Sequence, residues 1–363
     1  MTIDMHQYVT LGRSGLRVSP LCLGAMTFGT DWGFGSDLET SHRVLDTYLD
    51  AGGNFIDTAN VYTKGHSEKI LGDHLCKHPA KRDRIVLATK WCGNMFTGDP
   101  NAGGASRKNI LDSVHHSLRR LQTDYIDLLW MHFWDALTPI DETMRTLDDL
   151  VRAGKVRYIG FSDTPAWKCA QAQMLAQFHG WSPLVALQIE YSLVERTVEG
   201  DLIPMAQELG MGITPWSPLK GGVLTGKFTR DNPTGGDSTR GDWATGALND
   251  RVFNIIDALI KVSKEAGCTP AQAALAWLRA KPGVSSVIIG ARTSKQLEDN
   301  LASAQVELHA NLVQMLDDVS KPSLPFPYQF LERVSLATQG GTTVNGRPSE
   351  PWPLAPANDD ERW

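Results

Sequence analysis

Cysteine is scarce in this sequence: five among 363 residues, at 22, 76, 92, 169 and 268, with no C-x-x-C pair and no Cys/His cluster. That scatter excludes a disulfide framework, offers no zinc-ligand spacing and predicts a reducing compartment. No apolar run approaches the roughly eighteen residues of a membrane span. The opening stretch MTIDMHQYVT lacks the charged-then-apolar pattern of an export signal. A soluble, cytoplasmic protein with no membrane partner is the expectation. An excess of one charge is missing too. Lys+Arg 35 against Asp+Glu 41 gives a formal net charge of −6 without basic runs, which argues against nucleic acid as a partner.

What is present is an ordinary globular composition. Hydrophobic residues at 42% and charged residues at 21% exclude a disordered, collagen-like or coiled-coil chain. Length alone suggests about 2.4 domains, which leaves two readings: two modest domains, or one large α/β barrel with additions.

Short apolar strands alternate with amphipathic helices almost from end to end. YVTLG and LRVSP, joined by Arg13-Ser14-Gly15, predict a small hairpin. Strand candidates follow at LCLGAM, NFIDTA, RIVLATK, YIDLLWMH, RYIGFSD, LVALQIEY, GITPWS and SVIIGA. Helical patterns cover 38–51, 67–78, 108–121, 139–153, 165–179, 198–209, 249–266 and 270–281. Thr138-Pro139 and Thr269-Pro270 each predict a capping hydroxyl ahead of a first-turn proline. Such a chain forms either a closed (β/α)8 barrel or an open doubly wound sheet. The glycines decide, because LCLGAMTFGTDWGFG lacks the G-x-G-x-x-G of a dinucleotide-binding half. The expected fold is a (β/α)8 TIM barrel with an N-terminal β-hairpin, enlarged βα loops and an irregular C-terminal tail. Residues 1–320 make one catalytic domain and 321–363 a proline-rich tail. The enlarged loops are 92–107, after the third strand, and 229–248, after the seventh.

Sites on such barrels gather at the C-terminal strand ends. The polar residues ending these strands are Asp57, Lys90, His132, Ser162-Asp163 and Gln188, with Tyr62 in the loop just beyond Asp57. Each alone is as readily structural. Together they place a carboxylate, an ammonium, an imidazole and a phenol at one mouth, where leaving any of them uncompensated is costly. A tyrosine, with its ordinary pKa near 10, needs its anion stabilised; Lys90 does this, and Asp57 holds Lys90. Tyr62 then protonates a carbonyl oxygen that His132 orients. With no nucleophilic Ser or Cys and no metal set evident, the missing nucleophile is most simply a hydride from a cofactor.

These residues carry a family resemblance. GGNFIDTANVY…SEKILG, VLATK, DYIDLLWMH, GFSD and PWSPLKGGVLTGK…IIGARTSKQLEDNL resemble the aldo-keto reductases, in order and spacing over about residues 8–320. The similarity is greatest to the potassium-channel β-subunit-like and YajO-like branch. It implies a barrel that binds NADPH or NADP+, with NADH as the alternative. It places the family's tetrad on Asp57, Tyr62, Lys90 and His132. It also implies nicotinamide contacts at Ser162, Asp163 and Gln188, a stacked ring at Trp216, and Met26 nearby. Ser217, Pro218, Leu219, Gly221 and Lys227 would follow the pyrophosphate. Gly290, Arg292, Gln296, Asp299 and Asn300 fall where the family holds the adenosine end, and Ser294 is the expected cap of the helix there.

Asp163 departs from the pattern, since many members have Asn; an ionised aspartate accepts from a carboxamide but cannot donate. Arg292 is the main cation for a 2′-phosphate. Trp32, Phe34, Trp91, Phe133 and Trp134, with Met95 and Phe96, predict an apolar aromatic wall suited to ring-bearing carbonyl substrates. Trp243, in the long loop, is a weaker candidate for covering the cofactor. Two other functions stay open: a Schiff-base lyase using Lys90, and a slow nucleotide-sensing regulatory subunit. A small-molecule carbonyl is the expected partner, no metal is expected, and a homo-oligomer is left open.

Overall fold

A computed structural model describes residues 4–76, 79–235 and 246–362. Trp243 lies outside them. The described chain divides into two compact units between Lys321 and Pro322.

The first unit is built on eight parallel strands: β3 (Leu21–Gly24), β4 (Phe55–Asp57), β5 (Val86–Trp91), β6 (Ile126–Met131), β7 (Val156–Ser162), β8 (Leu184–Glu190), β9 (Gly212–Trp216) and β10 (Val287–Gly290). They pair in chain order, and β10 returns to β3. The remaining seam is joined at Ile213, whose N–H donates to Gly283 O at 2.9 Å while its carbonyl accepts from Ser285 N at 2.8 Å. Helices alternate with these strands, so the (β/α)8 fold is established. Ahead of it, β1 (Val9–Thr10) and β2 (Arg17–Val18) form the antiparallel hairpin.

Strand parity builds the core. Cys22, Phe55, Val86, Ala88, Leu128, Trp130, Ala186 and Ile288 pack together inside the barrel, and hairpin residues Leu11, Leu16 and Val18 join them. Their chain neighbours Leu23, Ile56, Leu87, Leu129, Leu187 and Ile289 face the helices and make the larger outer core. Gly160 gives way to Trp130 in the interior: a Cβ there would stand 2.4 Å from the indole ring.

Most helices fall where periodicity placed them, with local exceptions. The helix expected over 67–78 is α-helical at His66–Leu71 and widens to a π turn over Gly72–Cys76. Thr269 forms a full capping box with Gln272. Thr138 does not cap; Pro139 holds the N-cap position and the Thr138 hydroxyl donates to Asp135 Oδ2 at 2.6 Å. Ser294 is likewise inside its helix, Ser294–Ala302, and Thr293 is the cap, accepting from Gln296 N.

The second unit is less irregular than its prolines suggest. It carries a helix at Tyr328–Val334 and a hairpin pairing Thr343–Val344 with Arg347–Pro348. Among the described residues, no helix is long and apolar enough to cross a membrane.

Candidate active site

Three of the four tetrad candidates reach the mouth by simple parity. Asp57 is two residues beyond Phe55, Lys90 two beyond Ala88, and His132 two beyond Trp130, all of which face the interior. Tyr62 arrives from the loop after β4. There Thr63 and Lys64 take left-handed φ values of 46° and 57°. The Thr63 hydroxyl pins this turn, donating to Phe28 O at 2.8 Å and accepting from Ser67 N at 3.0 Å.

Lys90 is the hub. Its buried Nζ pairs closely with Asp57 Oδ2, donates to Thr58 O at 2.9 Å and contacts the Tyr62 hydroxyl at 3.1 Å. Burial pulls the ammonium pKa down, but Asp57 and then Tyr62 more than offset it, and it is pushed up to about 12. Lys90 is therefore a standing charge. Burial also raises the Tyr62 phenol, and the Lys90 ammonium offsets this only in part. The anion stabilisation expected from the sequence is present but outweighed, so the resting phenol keeps its proton. His132 follows β6, donating its N–H to Trp91 O at 3.1 Å. Burial, and then the charge of Lys90, lower its imidazole to about 3, and its Nδ1 has no partner. The ring stands edge-on to Tyr62 with centroids 5.6 Å apart. A fixed cation, a neutral phenol and a neutral imidazole thus converge, a set able to orient and protonate an electron-rich oxygen.

The candidate cofactor residues form two groups. On the mouth side, Asp163 (φ 42°) accepts from Trp216 Nε1 at 3.0 Å and from Ser162 Oγ at 3.3 Å. Enclosure pushes its carboxyl up to about 6 against those two hydrogen bonds, although the residue stays open to solvent. Gln188 does not point freely into the mouth: its Nε2 donates to Asp57 Oδ1 at 3.0 Å. Met26 is half-buried just beyond β3. Along the rim, Ser217, Lys220, Gly221 and Gly222 all take positive φ, while Pro218 is buried and Leu219 half-buried. Nothing lies within 4 Å of where a Cβ would stand at Gly221, Gly222 or Gly290. Such a backbone suits a phosphate, because left-handed turns next to glycine bring amides close to an anion. The residues present therefore fit a nicotinamide dinucleotide.

The adenosine-side candidates mostly brace one another. Gln296 Oε1 accepts from Arg292 N at 2.9 Å, and Asn300 Nδ2 donates to Gly290 O at 3.2 Å. Asp299 is engaged elsewhere, accepting from Gln272 Nε2 at 2.8 Å. Lys227 is exposed, its carbonyl accepting from Asn232 Nδ2 at 3.1 Å.

The aromatic residues expected to form a wall do not all come together. Phe34, Trp32, Tyr62, His132 and Phe133 form a continuous chain of rings with successive centroids 6.0, 6.2, 5.6 and 5.4 Å apart. Trp91 does not join it. It follows inward-facing Lys90, so parity turns it outward, where it is 1% exposed in the helix-side core. Trp134 packs against the same outer core with Lys168 over its ring. Met95 and Phe96 line a separate cavity, and Phe96 stands edge-on to His116.

Sequence reasoning missed the Glu190–Lys220 ion pair at the rim. Glu190 lies two residues beyond Gln188 and shares its parity, which was the available signal. It also missed Glu68, buried beneath the site, which accepts from Thr89 Oγ1 at 2.6 Å and Arg120 Nε at 2.7 Å; no local pattern marks that role. Among the described residues, no group of three or more His, Cys, Asp or Glu is arranged for a metal.

This barrel belongs to the aldo/keto reductase family, whose model matches residues 20–321. It is thus an oxidoreductase of a family that uses NAD(P)H. Over 322 residues it is 39% identical to a Bacillus subtilis protein named uncharacterized oxidoreductase YrpG, covering 86% of this chain and 95% of that one. A Phanerodontia chrysosporium protein named aryl-alcohol dehydrogenase, NADP(+), is 38% identical over 342 residues, 90% of this chain and 88% of that one. Norsolorinic acid reductase stcV of Emericella nidulans is 37% identical over 326 residues, 88% and 82% respectively.

Proposed function

We propose that this chain interconverts an aryl aldehyde or ketone and its alcohol, with NADPH as the reductant and Tyr62 as proton donor. The observation that carries this reading is the Lys90 Nζ contact to the Tyr62 hydroxyl at 3.1 Å, with Lys90 locked to Asp57. When bound, the nicotinamide supplies hydride to the carbonyl carbon or takes it back. The chain's own residues do the rest. Tyr62 and the neutral His132 hold the carbonyl oxygen. As negative charge grows there, the Tyr62 O–H passes its proton across, and Lys90 stabilises the phenolate left behind. In the oxidation direction Tyr62 takes the proton from the alcohol. Gln188 and Thr58 O keep Asp57 and Lys90 aligned through the cycle.

Trp216, Met26, Ser162 and Asp163 are the proposed nicotinamide holders, and the Ser217–Gly222 turn the proposed phosphate cradle. Arg292 is the basis for favouring NADPH over NADH. The ring chain from Phe34 to Phe133 supports aryl substrates, as do relatives named for aryl alcohols and norsolorinic acid. We assign catalysis to residues 1–320, with 321–363 as a tail, and place the protein in the cytoplasm. Lys90 is a poor Schiff-base nucleophile, because its buried pairing keeps it protonated.

The test is NADPH oxidation with a substituted benzaldehyde, compared with NADH, together with tryptophan fluorescence during cofactor titration. Tyr62→Phe should lose turnover and keep the fluorescence change. Loss of both together would overturn the assigned role.

A further inference from the structure

The loop between β3 and the helix Leu38–Asp50 carries Trp32 and Phe34, two rings of the mouth. Its base is closed on itself, with Gly29 N donating to Ser36 O at 2.9 Å and Ser36 N to Thr27 O at 2.8 Å. The base is also tied to the barrel. Thr27 Oγ1 donates to Ala291 O at 3.2 Å, and Phe28 O accepts from the Thr63 hydroxyl. The tip, residues 30–35, projects beyond this closure and turns through a bond from Gly33 N to Thr30 O at 3.0 Å. Nothing lies within 4 Å of where a Cβ would stand at Gly33, so that side of the tip is open.

Asp31 fastens the tip to the loop after β4. Its two carboxylate oxygens accept from His66 Nδ1 at 2.8 and 2.9 Å. An ionised carboxylate only accepts, so Nδ1 carries the proton. That bond lowers the Asp31 carboxyl pKa and keeps the acceptor ionised at neutral pH. Trp32 follows Asp31 in the chain, and His66 lies four residues after Tyr62. Trp32 meets Tyr62 edge-on, with centroids 6.2 Å apart and planes at 80°. The Asp31–His66 bond therefore closes a short bridge alongside the ring contact. Tyr62 has other supports: its N–H donates to Ala59 O at 3.2 Å, and the Thr63 hydroxyl pins its turn. Trp32 rides on the tip and is half-buried, so its place depends on how the tip is held.

We propose that Asp31 and His66 are a positioning pair that sets substrate specificity: by fastening the tip they hold Trp32 beside Tyr62 and favour ring-bearing carbonyl compounds over small aliphatic ones. This rests on the reading of Tyr62 as the proton donor of a carbonyl reductase. The pair acts through Trp32. The side chains are 57% exposed at His66 and 21% at Asp31, so the bond itself is a modest one. Its leverage is geometric, because a ring held in place gains aromatic contact with substrate without first losing its own freedom.

The test compares 2-naphthaldehyde with propanal. Asp31→Ala should raise KM for 2-naphthaldehyde about two- to fivefold, with little change in kcat and none in KM for propanal. His66→Ala should do the same, and the double variant should be no worse than either alone. Asp31→Asn, which keeps an acceptor for the Nδ1 proton, should recover most of the loss. A second measurement needs neither substrate nor cofactor. In protein labelled with 5-fluorotryptophan, the Trp32 fluorine resonance, identified by its loss in Trp32→Phe, should shift in Asp31→Ala. An unmoved resonance overturns the proposal, as do equal KM changes for the two aldehydes or additive losses in the double variant. Wild-type protein that reduces neither aldehyde overturns the carbonyl-reductase reading and the specificity role with it, while the resonance still decides whether the pair holds Trp32.

Discussion

The two ends of the barrel interior are built from the same strands with the same parity, yet they are opposite in chemistry. At one end Cys22, Phe55, Val86 and Leu128 pack with hairpin residues Leu11, Leu16 and Val18 into an apolar plug. Two to four residues further along those inward rows stand Asp57, Lys90 and His132. Packing supports the first end, whereas hydrogen bonds to a buried charge pair support the second. A single core can therefore carry a site, provided the polar residues are confined to one end and satisfy one another there.

That contrast predicts separable losses. The largest belongs to the mouth: Tyr62→Phe should reduce turnover by roughly a hundred- to ten-thousandfold while thermal melting moves little. A variant that melts much earlier in proportion to its lost activity would erase the distinction. At the plug, Phe55→Ala should cost about 3–5 kcal/mol of stability, read by denaturant unfolding, with near-normal activity per folded molecule. Between the two ends, Gly160→Ala forces a methyl against the Trp130 ring and should cost about 1–3 kcal/mol. If both stability and KM shift there, the middle layer belongs to the site as well as to the scaffold. The smallest effect is a pH dependence. Asp163, held near 6 by enclosure, binds its proton more tightly folded than unfolded. It therefore lends stability below the ordinary carboxylate pKa of about 4, and this is lost as pH rises through about 6. Thermal melts should show wild type falling relative to Asp163→Asn across that window; parallel curves would place the carboxyl in ordinary solvent.

Asp57, Lys90 and His132 were legible because strand ends are local, and Tyr62 because it follows Asp57 closely in the next loop. A residue two positions beyond an interior apolar side chain must share its face, whatever the surroundings. The same rule was available for Trp91, whose odd position relative to Lys90 sends it to the helix side. Residues deeper in the long loop 92–107 escaped such reasoning. Met95 and Phe96 look like substrate wall from their order in the chain, but the loop carries them to a different cavity. Gln188 was read as a carboxamide contact, and its bond to Asp57 spans the barrel between strands distant in sequence.

The sequence by itself determined the class of fold, the inward row of each strand and which functional groups share the mouth. Period-2 alternation and strand-end position are local properties of the chain. Only the tertiary structure decided that burial outweighs Lys90 at Tyr62, leaving a neutral phenol, and that His132 is neutral. It alone also left the Asn60 side-chain amide without a hydrogen-bond partner. Desolvation and hydrogen-bond satisfaction depend on what closes over a group from every side, and those neighbours come from segments far apart in the chain.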